Sequence, residues 1–233
     1  MKNWTGTRSI ADLNVSFNPT ESHFSMTLRK RIFDVTLSIF GLVLLSPVFT
    51  IIALLVRISS PGEIIYRQER LGLDGNPFTI YKFRTMFMDA EKDTGPVLAR
   101  VRDPRVTPIG QILRQTHLDE IPQLYNVLTG DMSLVGPRPE RRFFAEEYAK
   151  KFPLYRWRMI TRPGITGLAQ VYGDYHMDVE EKLCLDLTYT SRCSLYLDIF
   201  ILLKTTVIIL ATVMSLALIL NRLLLGYASG IHL

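Results

Sequence analysis

From Val35 to Val56 the chain carries no charged residue. A helix of that length measures about 33 Å, enough to cross a bilayer. Arg29, Lys30 and Arg31 precede the run, Asp34 sits at its edge and Arg57 follows it. Ser46-Pro47 falls near its middle, where proline removes a backbone donor and kinks a helix. Positive charge at both ends gives no direction by the positive-inside rule. Two arrangements therefore stand: a single-pass helix, since proline is tolerated in spanning helices, and a helix broken at its centre that enters and leaves on one face. A second apolar stretch, Tyr196 to Leu225, is uncharged only from Thr205 to Leu220, between Lys204 and Arg222. That length is marginal for a span, so a membrane helix competes there with an interfacial or core helix.

Between these stretches the pattern changes period. Ile64 to Arg70 and Phe78 to Arg84 read as two strands around Leu73-Asp74-Gly75-Asn76, and Asp-Gly is a strong hairpin signal. The two-residue alternation of the second strand sends Phe78, Ile80, Lys82 and Arg84 to one face. Residues 86 to 107 are polar and irregular. Ile109 to Leu128 follows a helical stripe through Ile112, Leu113, Thr116, Ile121, Leu124, Tyr125 and Leu128. Pro122 inside it marks a kink or a fresh start, and Gly130-Asp131 ends it. Glu140 to Arg158 reads as a charged amphipathic helix interrupted at Pro153, and Val179 to Tyr189 as a further helix. Two loops are stiff and cationic: Gly136-Pro137-Arg138-Pro139 and Arg162-Pro163-Gly164-Ile165-Thr166-Gly167. Prolines on both sides of Arg138 set its direction with little entropy left to lose.

The pattern divides the chain into a polar tail (1–28), a membrane helix (29–58), a catalytic domain (59–195) and an apolar C-terminal helix (196–233). The expected fold class is α+β: a mostly helical, membrane-associated domain with a short β-hairpin. The tail has no apolar start of the kind a cleavable signal needs. At 233 residues the chain can bury one sizeable core. A net charge of +5 suits anionic lipid, a phosphorylated substrate or nucleic acid. No zinc-finger spacing and no heptad-linked basic region is present, so nucleic acid is excluded as the partner. Cys184 and Cys193 lack metal-ligand spacing and read as reduced thiols facing the cytosol.

The candidate chemistry centres on Asp119 and Glu120, adjacent in Leu118-Asp119-Glu120-Ile121-Pro122. An Asp-Glu pair on a helix is usually a solvated face. Here it sits in a basic domain held at a lipid surface, which suggests work on a phosphorylated, lipid-borne substrate. Attack at phosphorus needs cations, usually a divalent metal, and an in-line nucleophile. A carboxylate can be that nucleophile. A second can help hold Mg²⁺, which takes one or two carboxylates plus phosphate oxygens. Neighbours on an α-helix point about 100° apart, which suits two different roles. Lys82, Arg84, Arg114, Arg138 and Arg162 are the candidate phosphate-binding cations. His117 is more simply structural than a general base. No phosphate-binding glycine loop, HExxH or GxSxG motif occurs.

Several runs together are similar to the bacterial sugar transferases, the monotopic polyprenol-phosphate phosphoglycosyl transferases. They are Lys30-Arg31-Ile32-Phe33-Asp34, Leu45-Ser46-Pro47, Tyr66-Arg67-Gln68-Glu69-Arg70-Leu71-Gly72, Tyr81-Lys82-Phe83-Arg84-Thr85-Met86, Leu118-Asp119-Glu120-Ile121-Pro122-Gln123-Leu124, Gly130-Asp131-Met132-Ser133-Leu134-Val135-Gly136-Pro137-Arg138-Pro139 and the run from Arg162 to Val171. The resemblance implies a first helix made re-entrant at Ser46 and Pro47. It implies Asp119 as the nucleophile that takes the phosphosugar from a UDP-sugar and releases UMP. Glu120, with Asp119 beside it, would hold Mg²⁺, and Lys82, Arg114 and Arg138 match basic positions around the phosphates. Polyprenol (undecaprenyl) phosphate would then accept the phosphosugar at the bacterial inner membrane, on the cytosolic face. Such a step starts capsule, exopolysaccharide, O-antigen or glycoprotein glycan assembly, with downstream glycosyltransferases as partners and room for a homodimer. Residues 1 to 27 lie outside the catalytic pattern, and the apolar tail after Lys204 is longer than that pattern needs. The competing readings are a catalytically silent membrane scaffold for polysaccharide assembly and a lipid-phosphate phosphatase.

Overall fold

The computed structural model describes residues 28–92, 95, 97, 103–173 and 177–228, with side chains described to residue 218. The polar tail before residue 28 lies outside them. The first apolar run forms one helix, α1 (Leu28–Ser59), with Pro47 inside it and no turn interrupting it. Pro47 has no N–H for the carbonyl of Val43, four residues back. Ser46 Oγ donates to that same oxygen at 2.8 Å, so the orphaned acceptor is satisfied.

α1 lies along the domain rather than leaving it. Lys30, Asp34, Ser38, Ile52 and Val56 are buried, near both ends of the helix. Arg31 donates to Val127 O at 2.5 Å and Leu128 O at 2.7 Å. At the other end Ile52 and Val56 pack with Phe83, Leu113 and Ile121. The opposite face exposes Phe40, Val43, Leu44, Ile51, Leu54 and Ile58.

The expected hairpin is present as β1 (Ile65–Leu71) and β2 (Pro77–Phe83), antiparallel, with Ile65 opposite Phe83 and Leu71 opposite Pro77. Asp74 and Gly75 both take positive φ, as the Asp-Gly signal requires. The helical stripe after residue 107 is not one helix. It is α2 (Pro108–Gln115), a one-turn 3₁₀ segment (Leu118–Glu120) and α3 (Gln123–Thr129). The break falls at His117, left-handed with φ 57°. Pro122 then caps α3, where its missing N–H costs nothing.

Two short strands, β3 (Ser133–Val135) and β4 (Gly164–Thr166), pair in parallel and were not expected. They bring the two stiff loops together. A Cβ on Gly164 would lie 2.1 Å from Gly136 N, so the backbones meet where no side chain fits. The charged helix ends before Pro153, as expected: α4 (Arg142–Lys151) gives way to a 3₁₀ stretch, Pro153–Ile160. α5 (Leu168–Tyr172) and α6 (Val179–Arg192) follow. The last apolar stretch is one helix, α7 (Leu195–Ala228). Lys30 bridges Asp34 and Asp198, each at 2.8 Å, which fastens the start of α1 to the start of α7. Leu195–Leu218 has the length and apolarity of a span and is almost entirely uncovered by the rest of the protein. The fold is α+β: mostly helical, with a short hairpin and a long apolar N-terminal helix.

Candidate active site

Three pieces of backbone are locked together around Asp119 and Glu120. α2 begins with Thr107 as its cap, whose hydroxyl accepts from Gly110 N at 3.0 Å. A Cβ on Gly110 would sit 2.1 Å from Thr85 O, so only glycine lets α2 press against the end of the hairpin. Arg114, in the last turn of α2, donates from Nε to Thr85 Oγ1 at 2.8 Å. On the other side Asn126 of α3 is fully buried and pairs with the free edge of β2. It donates to Thr79 O at 2.7 Å and accepts from Tyr81 N at 3.1 Å. The turn between α2 and α3 is thereby set against Lys82.

Both carboxylates are buried in that turn, Asp119 at 7% and Glu120 at 8% exposure. A 3₁₀ turn separates neighbours by about 120°, so the two still point apart. Their surroundings differ sharply. Glu120 Oε1 accepts from Lys82 Nζ at 2.6 Å and from Arg138 Nη2 at 2.5 Å, and Oε2 accepts from Arg138 Nη1 at 3.3 Å. Among the described residues Asp119 has no hydrogen-bond or ion-pair partner.

The electrostatics follow from this asymmetry. Burial alone would raise the Glu120 carboxyl, but Arg138 and Lys82, by charge and by hydrogen bond, hold it far below the usual carboxylate range. Burial raises Asp119 above its ordinary value, and the charge on Glu120 adds to the rise. Lys82, Arg138 and Arg114 pull it back only in part. Lys82 is lowered by burial and by Arg138, against the attraction of Glu120. Two neighbouring carboxyls pushed in opposite directions is the mark of a divided role.

A cavity of about 890 Å³ opens over the pair. Lys82, Arg84, Arg114, His117 and Arg138 line it with them. It falls within the range of small-molecule and cofactor sites. Of the cations expected from the sequence, Lys82, Arg114 and Arg138 face the carboxylates' surroundings. Arg84 touches the wall, but its guanidinium is committed to the end of α1, donating to Pro61 O, Ser60 O and Val56 O at 2.9, 2.6 and 3.3 Å. Arg162 lies outside the cavity, with Nε on Gly130 O at 3.0 Å. Sequence reasoning passed over Thr85 and Asn126, whose only signal was a polar residue beside a strand end and within an apolar stripe.

The family model for bacterial sugar transferases matches residues 25–212. The chain belongs to that family. Its matched span includes α1, the cavity and the first half of α7. A UDP-glucose:undecaprenyl-phosphate glucose-1-phosphate transferase of Caulobacter vibrioides is 40% identical over 195 residues, 81% of this chain and 72% of that one. A UDP-N-acetylgalactosamine-undecaprenyl-phosphate N-acetylgalactosaminephosphotransferase of Aeromonas hydrophila is 41% identical over 179 residues, 76% of this chain and 42% of that one. An exopolysaccharide production protein of Rhizobium leguminosarum is 39% identical, covering 76% of this chain and 93% of its own. The chain therefore spans about two fifths of the Aeromonas relative.

Proposed function

We propose that this family member transfers a sugar-1-phosphate from a UDP-sugar to polyprenol phosphate. A carboxylate oxygen of Asp119 attacks the sugar-bearing phosphorus, and the bond from that phosphorus to the bridging diphosphate oxygen breaks. UMP leaves with the bond's electrons. An oxygen of polyprenol phosphate then attacks the same phosphorus and frees Asp119. The observation that carries this reading is the contrast between the two carboxylates. Glu120 Oε1 is taken by Lys82 and Arg138, while Asp119 is buried, without a hydrogen-bond or ion-pair partner among the described residues, and lines the cavity. A silent scaffold has no use for an unpaired buried carboxylate, which carries a desolvation cost.

Charge balance supports a divalent cation as well. Among the described residues the cavity is lined by eight basic and six acidic side chains, a net charge of only +2. A nucleotide diphosphate and an acceptor phosphate bring several negative charges. Mg²⁺ suits the donor set, because it accepts one or two carboxylates and takes its other oxygens from phosphate and water. Asp119, which lines the cavity, has no hydrogen-bond partner among the described residues, and Glu120 Oε2 carries only the long bond to Arg138. These two residues would hold the ion, which when bound neutralises phosphate charge.

The test is release of UMP by purified protein over a panel of UDP-sugars, with and without undecaprenyl phosphate. Full turnover requires the acceptor, and activity disappears with EDTA and returns with Mg²⁺ or Mn²⁺. Free sugar phosphate formed without acceptor favours the phosphatase reading. Activity that survives chelation removes Mg²⁺ from the proposal.

The exposed apolar faces of α1 and α7 support a bilayer setting, proposed as the inner membrane with the cavity on the cytosolic side. Because one domain covers residues near both ends of α1, a spanning pose would carry that domain into the hydrocarbon. A re-entrant pose leaves the exposed Arg29 and Arg57 at one anionic surface, each worth about 1 kcal/mol of attraction. Cysteines placed at Leu28 and Ile58, both strongly exposed, are expected to resist a membrane-impermeant maleimide in intact cells and to react after lysis. Labelling of either one from outside defeats the re-entrant pose.

A further inference from the structure

The loop that carries Arg138 is held by its carbonyls. Pro137 and Pro139 have no N–H to anchor it. Four consecutive oxygens instead accept bonds from other segments. Pro137 O accepts from Gly164 N at 3.0 Å and Glu140 O from Leu71 N at 2.9 Å. Pro139 O accepts from Arg70 Nη1 at 3.2 Å, and Arg138 O from Arg158 Nη2 at 2.8 Å. Of the two side-chain donors, Arg158 is the more buried, its side chain 4% exposed against 20% for Arg70.

Arg158 is 4% exposed and Asp186, on α6, is 1% exposed. Arg158 Nε and Nη2 reach Asp186 Oδ2 at 2.9 and 2.6 Å, and Nη1 donates to the Tyr155 hydroxyl at 2.9 Å. The guanidinium also lies over the Tyr155 ring, 5.1 Å from its centre. A buried ion pair is a weak device for stability, since apolar residues of equal volume often do as well. An apolar pair cannot donate to the carbonyl of Arg138.

We infer that Arg158, oriented by Asp186, is a positioning residue for sugar-phosphate transfer: it fixes the backbone at Arg138 so that the guanidinium meets Glu120 and the cavity. The inference rests on the transfer reading above. Lysine cannot replace it, because a single ammonium lacks the planar fork that spans Asp186, Tyr155 and Arg138 O together.

The experiment compares Arg158→Lys with Tyr155→Phe, which removes one acceptor of the same guanidinium and leaves the bond to Arg138 O in place. UMP release is expressed per folded molecule, with the folded fraction taken from circular dichroism. Arg158→Lys is expected to lose about tenfold to a hundredfold, the scale of a misplacement near 1 Å. Tyr155→Phe stays within about twofold of the parent, since the positioning bond survives. Hydrogen exchange over residues 136–141 rises in the first variant and not in the second. If Arg158→Lys leaves too little folded protein, Asp186→Asn keeps the arginine, frees it from its orienting partner and is read in the same two ways. A loss that tracks only the unfolded fraction, or unchanged exchange in that segment, overturns the inference. A parent that releases no UMP defeats the transfer reading instead, and the exchange result still decides the role of Arg158.

Discussion

Asp119→Asn is expected to abolish UMP release and the covalent adduct together, and to make the protein more stable. The amide keeps the shape of the carboxylate but cannot form an acyl-phosphate. Intact-mass measurement of the parent with UDP-sugar and no acceptor is expected to show a species heavier by one sugar phosphate, absent from the variant. The stability gain follows from the direction of the Asp119 shift. Its folded carboxyl titrates above its ordinary value because burial and Glu120 disfavour the charge. A raised folded value means that the ionised form costs stability at every pH above the unfolded value. Asparagine removes that cost at neutral pH, so a dead but stabilised variant separates lost chemistry from lost fold. The same shift sets the pH profile of the parent. The acid limb of kcat/KM, which reports the free enzyme, is expected above the usual aspartate range of about 3.9. A variant that turns over at the parent's rate, or an adduct that persists, rules out Asp119 as the nucleophile.

Much of this site was legible in the chain, for reasons that can be named. The Asp-Gly turn left no choice about the hairpin, because positive φ at two successive residues is what that pair supplies. Arg138 between two prolines announced a fixed direction. Pro47 announced a lost backbone donor, and the bond from Ser46 Oγ to Val43 O is what makes it good. What was hidden depends on long-range contact. The stripe from Ile112 to Leu128 fits one helix by period, yet His117 turns left-handed and splits it, placing both carboxylates on a 3₁₀ turn. β3 and β4 have only three residues each, too few to show alternation, and they form because Gly136 and Gly164 allow backbone contact. The partners of Arg84 were also out of reach. Alternation put it beside Lys82, but its destination is the end of α1, whose position no local pattern reports.

Glu120→Gln is expected to cost several orders of magnitude in turnover and to destabilise the fold, through one cause. Lys82 and Arg138 converge on a single oxygen of Glu120, at 2.6 and 2.5 Å. A neutral amide leaves two cations facing each other with no counter-charge between them. Arg138 then has no fixed partner with which to meet the phosphates, and the preorganised field around the reacting phosphorus is lost. Breaking a buried charge pair from one side costs on the order of 3 kcal/mol. The Arg138 side chain is 37% exposed, so solvent recovers part of that. The pH dependence gives the sign. The folded carboxyl of Glu120 lies far below its ordinary value, so its stabilisation is complete above the unfolded value of about 4.3 and is lost as pH falls below it. The deficit of the variant against the parent is therefore largest at neutral pH and shrinks in acid. Urea midpoints at pH 7 and pH 3 measure it directly. A deficit that is equal at both, or an active and equally stable variant at pH 7, would mean that the Lys82–Glu120–Arg138 cluster does not organise the site.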